Sequence, residues 1–188
     1  MREAPTTPPQ PQGEIVIRPL REEDLLDLEW DGEYVHFRNL YRRAYEEMLQ
    51  GLRLMMVAVD GTTGEIVGQV FVQYSSGDPR FADGRTRGYI YALRVKAGYQ
   101  NRGIGHQLIQ AAEDNLRQKG MRTATIGVAK SNTGAQRLYE HIGYRVLGED
   151  AGRWSYLDER GHLQEVNEPS WVMEHLLESK ASRGRAGG

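Results

Sequence analysis

Gln100-Asn101-Arg102-Gly103-Ile104-Gly105 is the stretch from which the fold reads outward. Ahead of it, Tyr89-Ile90-Tyr91-Ala92-Leu93-Arg94-Val95 has the β-branched and aromatic content of a strand. Behind it, Ile104, Leu108, Ile109, Ala112 and Leu116 recur at helical spacing until Gly120 stops the pattern. The run is therefore a strand-to-helix turn with glycines at the first helical turn. Gly103 and Gly105 carry no Cβ, so a ligand can approach the main chain there. The N–H groups that open the helix lack intrahelical acceptors, and the dipole adds about +0.5 charge. Such a turn attracts an anion, phosphate above all, and Arg102 adds a cation beside it.

Two better-known phosphate loops do not fit. A Walker A loop ends in Gly-Lys-Ser/Thr, whereas His106 and Gln107 follow Gly105. A dinucleotide fingerprint needs a third glycine where Leu108 stands. Tight strand–helix packing is the competing use of the two glycines.

The flanking residues extend the pattern. Val95, Tyr99, Gln100, Gly103 and Gly105 before an amphipathic helix resemble the acetyl-CoA pyrophosphate loop of the GNAT superfamily of N-acetyltransferases. A second block, Asn132-Thr133-Gly134-Ala135-Gln136-Arg137-Leu138-Tyr139-Glu140-His141-Ile142-Gly143-Tyr144, is similar to that family's Asn-x-x-Ala-x-x-Leu-Tyr-x-x-x-Gly-Phe/Tyr signature. The resemblance spans about residues 14 to 148. It implies acetyl-CoA as co-substrate, held by Gln100, Asn101, Arg102, Gly103, Ile104, Gly105 and His106. The main chain of Leu93, Arg94 and Val95 would pair with the pantetheine arm between two splayed strands, with Asn132 nearby.

The 188 residues suit one domain with a real core, and the net charge of −2 (24 basic, 26 acidic) favours neither nucleic acid nor membrane as a partner. The absence of cysteine excludes disulfides, thiol catalysis and cysteine-ligated zinc. The five histidines lack metal-ligand spacing, so no metal is expected. With neither a signal-like start nor a long uncharged run, the reading is a soluble cytoplasmic protein.

Along the chain, residues 1–12 hold four of the seven prolines and read as a disordered arm. One acetyltransferase domain is expected over 13–178, and the small, polar residues 179–188 read as a disordered tail. Strands are expected at Glu14 to Arg18, Arg53 to Val59, Glu65 to Tyr74, Tyr89 to Val95, Arg122 to Ala129 and Tyr144 to Leu147. Arg21 to Asp31 and Tyr34 to Leu49 read as helices. Residues 149–170 lie outside the short family pattern, and Arg153 to Leu157 and Leu163 to Val166 read as an extra hairpin before a last strand at Trp171 to Leu177. Together these predict an α/β (α+β) domain with a mixed, mostly antiparallel sheet and helices on both faces. Trp154, Tyr156 and Trp171 suggest an apolar edge for a homodimer.

Acyl transfer from a thioester needs a bound donor, a neutral amine and a proton for the thiolate. Tyr139 stands where the family places its general acid, and an ordinary phenol pKa of about 10 keeps it protonated at neutral pH. The helix face would bury its ring in either case. Tyr34, Phe37 and Tyr41 follow helical spacing that suits a core stripe; in acetyltransferases of this kind that region often lines the acceptor site, which makes them substrate candidates. The base is where the pattern departs from the family. Some relatives carry glutamate five residues ahead of the signature asparagine, where Gly127 stands, and others a carboxylate where Tyr89, Tyr91 and Ala92 stand. That leaves a water relay, a weakly basic amine, or a tyrosine of lowered pKa, for which Tyr91 is the candidate. Asp150 and Glu165 are fallbacks if the hairpin covers the mouth. Two functions follow: an N-acetyltransferase acting on a small-molecule or peptide primary amine, or a non-catalytic acyl-CoA-binding regulatory module.

Overall fold

A computed structural model describes residues 13–178. The arm expected at 1–12 and the tail expected at 179–188 lie outside the described residues. The strands are β1 (Ile15–Pro19), β2 (Arg53–Asp60), β3 (Ile66–Gln73), β4 (Arg87–Val95), β5 (Thr123–Ala129), β6 (Arg145–Asp150), β7 (Arg153–Leu157), β8 (Leu163–Asn167) and β9 (Ser170–Leu176). The α-helices are α1 (Arg38–Leu49), α2 (Ile104–Gln118) and α3 (Thr133–His141). Seven strands form one sheet in the order β1-β2-β3-β4-β5-β9-β6, while β7 and β8 pair separately. All neighbours in the main sheet are antiparallel except β4 and β5. The fold is thus the mixed, mostly antiparallel α/β sheet with helices on both faces.

The apolar faces decide which helix goes where. Tyr41 and Ala44 of α1 pack with Met55, Val57 and Phe71 on one side of the sheet. On the other, Ile104, Leu108, Ile109, Ala112 and Leu116 of α2 join Ile90, Ala124 and Ile126. These five α2 side chains are essentially sealed from solvent, each contributing about 1.5–3 kcal/mol if large. Gly88 lets the helix press down, since a Cβ there would lie 2.2 Å from Leu116 Cδ2. This packing holds α2 along β4, with Leu116 at the end of the helix away from Gly103.

Strand β4 holds the irregularity that shapes the site. Gln69 pairs with Arg94 and Phe71 with Tyr91, so β4 has one residue more than β3 across that interval. The extra residue is a β-bulge, and Ala92 sits in it with φ of +52°. The bulge shifts the alternation: Tyr91 and Ala92 pack towards α1, whereas Leu93 and Val95 pack towards α2.

The expected helix at Arg21 to Asp31 is not formed. Two single 3-10 turns, Glu22–Asp24 and Asp27–Glu29, take its place. The Asp24 carboxylate accepts the Arg21 N–H at 2.7 Å and the Arg18 guanidinium at 2.6 Å, closing the first turn locally. Trp30, Asp31 and Gly32 then run through φ of +44°, +57° and +97°, reversing the chain. A second correction concerns Trp171. It lies on β9, flanked by β5 and β6, with Lys130 Nζ 4.3 Å from its ring centroid, so it is not on a sheet edge.

Candidate active site

The parallel pair β4–β5 stays in register only from Arg87↔Thr123 to Ile90↔Ile126. Beyond that the strands splay, and a cleft of about 300 Å³ opens between Tyr91–Arg94 and Gly127–Ala129. Asn132, Ala135 and Tyr139 close one side of it. Within the cleft, the main chain of β4 past Ile90 has no β5 partner, leaving it free to pair with an extended ligand.

In the loop from Gln100 to Gly105, Gly103 has φ of +77° and precedes the first residue of α2. The first helical bond runs from the Gln107 N–H to the Gly103 carbonyl at 3.0 Å. The N–H groups of Ile104, Gly105 and His106 meet no backbone acceptor among the described residues. A Cβ on Gly105 would find only Val95 Cγ2, at 3.9 Å, so its lack of side chain leaves those N–H groups open rather than relieving a clash. Gln100 Nε2 donates to the Val95 carbonyl at 3.0 Å, tying the loop to β4. Arg102 lies over the Tyr99 ring at 4.9 Å, and the Tyr99 hydroxyl donates to Asp60 at 3.0 Å. Asn101, with φ of +59°, and His106 are exposed on the same loop, whereas the Ile104 side chain is buried and offers only its backbone.

Helix α3 presents Tyr139. Asn132 caps it, accepting the Ala135 N–H at 3.1 Å. The Tyr139 ring is 7% exposed and lies 6.1 Å from that of Tyr144. Burial pushes its hydroxyl up to about 12. That hydroxyl makes no hydrogen bond among the described residues, which is unusual for a buried tyrosine at a cleft wall.

On the α1 side, Tyr89 and Tyr91 stack at 5.3 Å. The Tyr89 hydroxyl is 3.2 Å from where a Gly127 Cβ would be, so the phenol fills the space that a side chain at 127 would need. The Tyr91 hydroxyl accepts from Arg53 at 2.5 Å, and Arg53 in turn pairs with Glu47. Burial raises the Tyr91 pKa although the Arg53 guanidinium opposes it. The lowered pKa that a Tyr91 base requires is therefore the opposite of what its surroundings impose.

Tyr34, Phe37 and Tyr41 do come together. Tyr34 and Phe37 are stacked at 6.3 Å, and the Phe37 and Tyr41 rings meet edge-on at 6.0 Å. The extra hairpin leans on them: Tyr156 lies 5.1 Å and Trp154 6.4 Å from Phe37, and Asn39 donates to the Asp158 carbonyl. Tyr156 is thereby half-buried, while Trp154 stays 45% exposed. Neither fallback carboxylate lines the cleft. Asp150 is held by Arg80 at 3.1 Å and by the Gly152 N–H at 2.8 Å, and Glu165 stands exposed on β8. Among the described residues, the one acidic side chain lining it is Glu168, from the β8–β9 connection, which sequence spacing did not signal. Arg53 and Tyr89 were missed for the same reason: their partners are distant in sequence. No cluster of metal-ligating side chains occurs among the described residues.

Residues 22–144 match the model of the acetyltransferase (GNAT) family. The chain belongs to the GNAT acetyltransferase family. A mycothiol acetyltransferase of Propionibacterium freudenreichii subsp. shermanii is 31% identical over 70 residues, covering 37% of this chain and 22% of that protein. The chain thus spans about a fifth of that relative's length. Among solved structures, an N-acetyltransferase from Staphylococcus aureus Mu50 superposes with a TM-score of 0.66 at 17% identity, covering 88% of this chain and 100% of that one. A chain of the NatC complex bound to Gag peptide and CoA gives 0.65 at 20% identity, covering 88% and 99%. At those identities the likeness is one of fold, and it matches the sheet described above. GNAT enzymes use acetyl-CoA. No helix among the described residues is long and apolar enough to cross a membrane.

Proposed function

We propose that this GNAT protein moves the acetyl group of acetyl-CoA directly to a primary amine inside the β4–β5 cleft. The observation that carries the reading is the meeting of three features there: β4 main chain without a β5 partner, the open N–H groups of the α2 turn, and a tyrosine hydroxyl with no partner among the described residues. The diphosphate would lie on the turn, with Gln100, Asn101, Arg102 and His106 around it. The pantetheine would lie along Leu93 to Val95 beside Asn132. A β4 N–H at the bulge would polarise the thioester carbonyl.

Nitrogen attacks the thioester carbon, the C–S bond breaks, and a proton leaves nitrogen while one arrives at sulfur. Tyr139 would serve the sulfur end. At about 12 its hydroxyl is a weaker acid than a thiol near 8.5, so full transfer would be uphill by roughly 5 kcal/mol. Its role is therefore to donate a hydrogen bond to the forming thiolate and relay the proton released by nitrogen. For the amine end, the raised Tyr91 and the absence of a buried carboxylate in the cleft among the described residues favour an acceptor that loses its proton to water before attack. Tyr34, Phe37 and Tyr41 would wall the acceptor.

Mass-spectrometric detection of acetylated product from acetyl-CoA and a broad amine panel tests the reading. Products with one amine class would support it. Acetyl-CoA binding without product from any amine would favour the regulatory-module alternative.

A further inference from the structure

Six arginines are half-buried in the fold: Arg18, Arg53, Arg87, Arg94, Arg102 and Arg117. Four of them hold a carboxylate: Arg18 with Asp24, Arg53 with Glu47, Arg87 with Glu174 and Arg117 with Glu113. The two without an ion pair among the described residues are Arg102 and Arg94. Arg102 stands on the phosphate turn, where an incoming anion accounts for it. The Ala92 bulge sends the Arg94 side chain to the α1 face, against Tyr34 and Tyr41, in a groove that reaches Gly98 and Gln100 at the edge of that turn.

There the guanidinium is fixed. It lies 3.9 Å from the centroid of Tyr34 and 5.1 Å from that of Phe37, and one nitrogen donates to the Tyr41 hydroxyl at 2.6 Å. Tyr41 itself is 5% exposed, packed in the core on the α1 side of the sheet. Arg94 lines the β4–β5 cleft and also a groove of about 590 Å³ that runs outward past Trp30 and Tyr34 and carries Asp31, Glu33, Glu65 and Lys96. A guanidinium has five N–H donors in a planar fork suited to carboxylate or phosphate, and the described structure uses one of them in a hydrogen bond. None of the groove's carboxylates forms an ion pair with Arg94 among the described residues, so the rest of the fork is open to a ligand's anion.

We propose that Arg94 anchors the acceptor, and that the acceptor is a compact amine carrying its own anionic group, a carboxylate or a phosphate, next to the amine. This rests on the acetyltransferase reading and narrows it. The aromatic walls would enclose the rest of the molecule, and the free amine would point into the cleft towards the thioester.

Matched pairs that differ only in the anion test this: tyrosine against tyramine, and phosphoethanolamine against ethanolamine. The expected result is a kcat/KM about ten- to a hundredfold higher for the anionic member of at least one pair, the scale of a hydrogen-bonded charge. The pair that shows it tells carboxylate from phosphate. In Arg94→Gln the ratio should fall towards one through KM for the acceptor, and Arg94→Lys should restore part of it. Equal or better use of tyramine and ethanolamine, or a ratio that Arg94→Gln leaves in place, would overturn the proposal. Calorimetry with N-acetyltyrosine separates this from the acetyltransferase reading. Binding that Arg94→Gln abolishes would support the anchor even if no amine turned over, and absence of binding for both N-acetyltyrosine and phosphoethanolamine would overturn it.

Discussion

Replacing Tyr139 by phenylalanine separates chemistry from architecture in one variant. The ring is 7% exposed and belongs to the main core, whereas its hydroxyl has no partner among the described residues. Deleting the oxygen therefore breaks no hydrogen bond in the resting protein, and the phenylalanine ring keeps the packing. Unfolding stability should stay within about 0.5 kcal/mol of the parent. In the proposed transition state the same oxygen would meet a developing thiolate, and a hydrogen bond to a charged group is worth about 1.5–3 kcal/mol. Turnover should then fall roughly ten- to 150-fold, with KM for acetyl-CoA little changed. Thiol release gives the rates and urea denaturation gives the stability. Unaltered turnover would remove Tyr139 from the mechanism. A stability loss above about 1 kcal/mol would mean that the hydroxyl is structural, contrary to the unpartnered geometry.

Three further outcomes follow. The Gly105→Val variant should keep its fold, since the nearest atom to the added Cβ is 3.9 Å away, yet lose acetyl-CoA affinity at least tenfold by calorimetry as the side chain covers the open N–H groups. The logarithm of kcat/KM should rise with unit slope as pH increases towards the acceptor's own pKa; with Tyr139 protonated up to about 12, no descending limb should appear below pH of about 10. Glu113 is 6% exposed and is met by the Tyr144 hydroxyl at 2.9 Å and His175 Nδ1 at 2.9 Å, so Glu113→Ala should lower unfolding stability by about 2 kcal/mol or more in urea melts by stranding those partners.

Local chemistry made part of this molecule legible before its coordinates. The glycines around Ile104, the period of α2 and the Asn132 cap are each decided within a few residues, and the family signature rides on them. The segment from Arg21 to Asp31 misled because Leu25, Leu26 and Leu28 suit a helix, while Asp24 captures the Arg21 N–H and closes a tighter turn. The side of the sheet reached by Arg94 was not legible either. Strict alternation puts it with Ile90, and the bulge at Ala92 reverses that without any glycine to announce it. Glu168 enters the cleft only because the hairpin returns the chain to the end of β5, where the Lys130 N–H donates to the Pro169 carbonyl at 2.9 Å. Tyr89 fills the space beside Gly127 across the β4–β5 splay, a pairing between strands separated by α2.

In the proposed mechanism, acetyl-CoA and amine occupy the cleft together and the acetyl group passes between them without an enzyme-bound intermediate. Initial rates of thiol release, measured over a grid of acetyl-CoA and acceptor concentrations, test it most directly. Double-reciprocal plots that intersect are the predicted result. Parallel lines, or thiol release that does not depend on the amine, would contradict it.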